Sequence, residues 1–145
     1  MSADEKPTRV DDLAYYHHLR SRLEHEDGLI VNRLAWLMAS ESFFFTAYAI
    51  VLNGAGTPHH RRLIHLIPMV AIASSALIFV AIVAAVRALG WIHGLMKARV
   101  PDPAALGLPP LHSPGSITVP GLAAPLILPP IFVTVWFYLL VAGGI

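Results

Sequence analysis

The sequence contains no cysteine, which excludes disulfides, thiolate metal sites and cysteine nucleophiles and leaves the compartment open. Charge is scarce as well. Lysine, arginine, aspartate and glutamate make up 13% of the 145 residues, about half of the roughly 25% usual in a soluble domain. So few charges cannot cover a water-facing surface, and the 56% of hydrophobic residues are gathered in long runs that a globular core does not require. A net charge of +1 with the histidines neutral predicts no polyanionic partner, and no interleaving of basic and aromatic residues suggests nucleic acid. The first 28 residues mix acidic and basic side chains without an apolar h-region, so no cleavable signal peptide is expected. Phosphate-binding glycine loop, nucleophile elbow, haem motif and zinc-ligand set are all missing. The expectation is therefore a protein that is not an enzyme and has no cofactor or metal, with lipid as solvent for much of the chain.

What is present reads as all-α: a polytopic membrane protein with three transmembrane helices preceded by an amphipathic cytoplasmic helix. Residues 1–8 form a polar leader. From Arg9 to Arg33, Tyr16, Leu23, Ile30 and the later Leu37 recur every seven residues, flanked by Leu13, Leu19 and Leu34. Arg20, Arg22, Glu24 and Asp27 occupy the other surface, which is the pattern of an amphipathic helix. Gly28 interrupts it at a cost of about 1 kcal/mol relative to Ala and marks a possible bend at the membrane entry. The membrane domain, 34–145, holds spans at about 34–52, 64–90 and 121–142, each near the 20 apolar residues needed to cross a bilayer. Asn53-Gly54-Ala55-Gly56 signals a turn after the first span. Six prolines between Val100 and Pro120 exclude a helix there and favour an extended connection, 100–120, against the membrane surface.

Lysines and arginines set the orientation. Lys6, Arg9, Arg20, Arg22, Arg33, Arg87, Lys97 and Arg99 fall on one side and Arg61 and Arg62 on the other, which puts the N-terminus in the cytoplasm and the C-terminus outside. Trp36 and Trp91 are expected at the inner interface, Trp136 and Tyr138 at the outer one.

Glu41, inside Ser40-Glu41-Ser42 in the first span, is the leading candidate site. A carboxylate in hydrocarbon costs about 3 kcal/mol on insertion scales, so it needs a protein interior, a water path or a basic partner. Arg33 and Ser40 complete the candidate ion or proton site. The alternative is a carboxylate that simply hydrogen-bonds serines and a second helix. His17, His18 and His25 lack the i,i+4 spacing of a helical metal pair and read as solvated. His59, His60 and His65 with Arg61 and Arg62 read as a headgroup anchor or, alternatively, a pH-sensitive gate. Ala71, Ser75, Ala81, Ala85 and Ala88 give the second span a small-residue packing face. Pro125, Pro129 and Pro130 are candidate hinge or gate positions in the third, either kinking it or leaving the helix to start at Pro129.

The run Arg22-Leu23-Glu24-His25-Glu26-Asp27-Gly28-Leu29-Ile30-Val31-Asn32-Arg33-Leu34-Ala35-Trp36-Leu37, followed by Phe43-Phe44-Phe45-Thr46-Ala47-Tyr48, resembles a group of small uncharacterised bacterial multi-spanning membrane proteins. The resemblance covers roughly residues 20–50 and implies a bacterial inner-membrane setting with no activity attached. Three spans cannot enclose a solute pathway alone. One expectation is therefore a homo-oligomer, an ion channel or pore with Glu41 near its axis. The alternatives are a small accessory or scaffold subunit of a larger membrane complex, or a membrane-state sensor.

Overall fold

A computed structural model describes residues 9–54, 59–99 and 115–142, with side chains described for 13–54, 59–99 and 121–142. It holds three helices, α1 (Arg9–Asn53), α2 (His60–Arg99) and α3 (Gly115–Ala142). All three are long and apolar enough to cross a membrane. At 1.5 Å per residue they measure about 68, 60 and 42 Å, against a hydrocarbon core of about 30 Å. The first two therefore extend well beyond any bilayer they span.

The expected amphipathic helix at 9–33 is not found as a separate element. Those residues are continuous with the first span in α1, and the helix passes through Gly28, where an added Cβ would meet nothing within 4 Å. The seven-residue line is taken up by the chain itself, because Tyr16, Leu19, Ile30 and Leu37 are buried while Leu13, Val31 and Trp36 are exposed. Its partner is α2. Tyr16 and Leu19 pack with Ile92 and Met96, and Ile30 packs with Ala85 and Leu89. The Arg99 guanidinium lies 4.5 Å over the Tyr15 ring at the far end. An exposed Arg20–Glu24 pair at 3.2 Å adds little to this extension, since such i,i+4 pairs contribute about 0.3–0.5 kcal/mol.

Residue numbers rise along α1 as they fall along α2, so the two helices are antiparallel, and α2 lies between α1 and α3. The small residues of α2 serve this packing: Ala71, Ser75 and Ala85 are buried, and Ala81 and Ala88 are half-buried. In lipid, where apolar burial drives little, small side chains let the backbones close up and gain dispersion contacts. The connection expected at 100–120 is shorter at its end, because α3 already begins at Gly115 and contains Pro120. The rest of it, like the polar leader at 1–8, lies outside the described residues. A proline removes only one backbone donor, and helices that pack on neighbours tolerate that loss. The second helix contains one too, the fully buried Pro68. The third likewise runs through Pro125, Pro129 and Pro130 without starting at Pro129, with Pro125 and Pro129 buried and Pro130 exposed.

The pairing register also revises the aromatic belts. Trp91 adjoins Ile92, which packs at the level of Tyr16 and Leu19, whereas Trp36 lies next to Leu37. Along α1 the two levels differ by about 25–30 Å, so these tryptophans do not share one interface. Trp136 is not an outer anchor either; it is 0% exposed.

A buried carboxyl joining three helices as the candidate functional site

Between Arg33 and Asn53 the first helix carries one acidic or basic side chain, Glu41. It lies about 12 Å along the axis from Arg33 and about 18 Å from Asn53, close to the middle of a 30 Å hydrocarbon core. Only 1% of it is exposed. Burial of this kind requires hydrogen bonds, because an unpartnered carboxyl in a low-dielectric interior is costly.

Both of its oxygens have donors from other helices. The Ser75 hydroxyl of α2 donates to Oε1 at 2.5 Å, and the Trp136 indole N–H of α3 donates to Oε2 at 2.5 Å. One carboxyl thus ties α1, α2 and α3 at a single level. Trp136 is held from its other sides by Phe45, stacked at 4.5 Å with 22° between planes, and by Tyr48, edge-on at 5.6 Å and 90°. Ala71 completes the buried cluster, with Phe132, Phe44 and Ile67 among the residues packed on it.

The chemistry of the two donors differs. An indole N–H can only donate, so Oε2 must act as an acceptor in either protonation state. A serine hydroxyl can donate or accept, so the Oε1 side accommodates a carboxylate or, with the hydroxyl turned, a carboxylic acid.

The structure does not bring the three residues of the expected ion site together. Arg33 Nη1 donates to the Ala81 carbonyl at 2.9 Å, and the Ser40 hydroxyl donates to the Leu37 carbonyl of its own helix at 2.9 Å. Glu41 meets Ser75 and Trp136 instead. Ser75 stands in the expected packing face, but sequence reasoning missed its pairing with Glu41 and took Trp136 for an interface anchor. A signal existed: a buried carboxyl needs donors from neighbouring spans, and between Leu66 and Val86 only Ser74 and Ser75 can donate from α2.

The histidines stand apart from this node. His17, His18 and His25 are exposed on α1, with His17 edge-on to Tyr16 at 5.8 Å. His59, His60 and His65 cluster at the start of α2, where His60 Nδ1 is buried without a hydrogen-bond partner among the described residues. Among the described residues no group of three or more His, Asp or Glu is arranged to hold a metal ion.

The fold and site define a protein with three candidate membrane-spanning helices pinned by one buried carboxyl. Comparison with known proteins adds no relative: no family model, curated protein or solved structure matches the chain.

Proposed function

We propose that this chain is a small accessory or scaffold subunit of a larger complex in the bacterial inner membrane, with its N-terminus cytoplasmic and its C-terminus outside. One observation carries the reading: the one carboxyl in the middle of the apolar region spends both oxygens on Ser75 and Trp136 of the same chain. Such a carboxyl organises helices and presents no free oxygen to a pathway. The long α1–α2 pair that extends past the bilayer supplies surface for a partner.

The orientation rests on antiparallel pairing, which brings Arg20, Arg22 and Arg33 to the same end of the pair as Arg87, Lys97 and Arg99, while Arg61 and Arg62 stand at the other. Because the chain has no cysteine, single substitutions at exposed positions report the topology. A membrane-impermeant maleimide should label His59→Cys in intact cells and Ser21→Cys only after lysis; the reverse pattern overturns the assignment.

A homo-oligomeric channel is the second reading, and one observation favours it. Ser42, Thr46 and Asn53 are exposed on one face of α1, so a ring of copies would line its axis with these residues and not with Glu41. Each now bonds a carbonyl of its own helix. Native mass spectrometry of the full chain in mild detergent, with conductance measured in planar bilayers, separates the two. The accessory reading predicts a monomer or dimer without conductance. A closed ring of copies whose conductance changes in Ser42→Ala/Thr46→Ala would sink it.

A further inference from the structure

The Glu41 node leaves Arg33 unexplained. A guanidinium carries five N–H donors in a rigid fork. Among the described residues Arg33 makes one hydrogen bond, Nη1 to the Ala81 carbonyl at 2.9 Å. None of its remaining nitrogens is a buried atom without a partner, so the rest of the fork is open to the surroundings.

Those surroundings follow from depth and direction. Arg33 lies about 30 Å along α1 from Asn53, one hydrocarbon thickness from the other end of the span. It therefore stands at the bilayer edge, where lipid phosphates begin. At 100° per residue it is about 120° around α1 from Phe45, and Phe45 packs on Phe132 and Trp136 of α3. Arg33 thus faces away from α3, along the opposite edge of the α1–α2 pair. Small side chains, half-buried Ala81 and exposed Ala84, keep the α2 wall low there. Trp36, one turn away, is 73% exposed, as suits an indole among headgroups.

Among the described residues no protein anion answers this charge. The oxygens of Glu41 are engaged and about 12 Å away along the axis. Glu26, on the same edge of α1, is about 10 Å away and forms no ion pair with Arg33 among the described residues. The third helix has no acidic residue. A partly buried guanidinium at a lipid boundary is stabilised by an anion, and a phosphate matches its fork with paired charge-assisted hydrogen bonds.

We propose that Arg33 holds the phosphate of a membrane phospholipid in the α1–α2 groove facing away from α3. The site does not depend on the accessory reading or on orientation, since both leaflets carry phosphate. Native mass spectrometry of the full chain titrated with phosphatidylglycerol tests it, with diacylglycerol and inorganic phosphate as separate probes. Wild type should retain one phosphatidylglycerol and no diacylglycerol. Arg33→Gln should weaken retention about tenfold, the scale of one lost charge-assisted pair. Arg33→Lys, which keeps the charge but not the fork, should fall between, and Arg20→Gln should match wild type. Equal retention in wild type and Arg33→Gln overturns the site, as does equal retention of diacylglycerol. Displacement of the lipid by inorganic phosphate at matching concentration overturns the lipid as its source. Should Arg33→Gln fail to fold, Arg33→Lys decides alone: undiminished retention overturns the proposal.

Discussion

Trp136→Ala is expected to be the most damaging single substitution in this molecule, lowering stability by about 3–5 kcal/mol, the usual cost of truncating a buried aromatic. Trp136 is fully buried and does two things together. Its ring fills the space between Phe45, Tyr48 and Ala71, and its N–H reaches Glu41. Trp136→Phe separates them, because phenylalanine keeps an aromatic face but has no donor. Interhelical hydrogen bonds in membranes average about 0.6 kcal/mol and reach about 1.7, so Trp136→Phe should cost in that range plus a small packing loss. Reversible unfolding of the reconstituted protein, followed by protease access to α3, measures both. If the two variants are equally damaging, the bond and not the ring holds α3. If Trp136→Phe costs nothing, the bond to Glu41 does not contribute.

Glu41 should show the opposite pattern, with the conservative change tolerated and the truncation not. Glu41→Gln keeps an oxygen to accept from Trp136 and supplies an N–H₂ that Ser75 can accept by turning its hydroxyl. It is expected to remain near wild-type stability. Glu41→Ala leaves the Trp136 N–H and the Ser75 hydroxyl buried without partners, and losing both interhelical bonds should cost about 1–3 kcal/mol in total. The same unfolding assay in bicelles reads this, and a double cycle of Glu41→Gln with Trp136→Phe isolates the shared term. A Glu41→Gln variant as unstable as Glu41→Ala would mean that the node requires the carboxyl itself. That result would return Glu41 to the role of a proton- or ion-handling group.

The spans were legible from composition because the bilayer imposes a length: about 20 apolar residues appear as an uninterrupted run whatever they pack against. On α2 the four-residue spacing of Ala71 with Ser75 and of Ala81 with Ala85 pointed to a packing face, and Ala71, Ser75 and Ala85 are buried. The continuity of α1 was not. Charged residues before Arg33 and Gly28 in their midst look like a boundary, yet neither breaks a backbone hydrogen bond, and packing on α2 keeps the helix going. Proline misled in the other direction at Pro120. Its local rule forbids one donor, whereas a packed helix tolerates the omission.

The sequence by itself determined that this chain has three apolar segments of membrane-crossing length and one carboxyl that cannot stand alone in them. Which residues would satisfy that carboxyl was decided by tertiary structure, because Ser75 and Trp136 stand 34 and 95 positions from Glu41 and no local pattern links them. The same holds for Trp136, whose composition suits an interface and whose position is interior. A tryptophan's amphipathic character allows either place. The need for an acceptor was written in the residue, and only the antiparallel register of α2 with α1 and α3 brought the acceptor within reach.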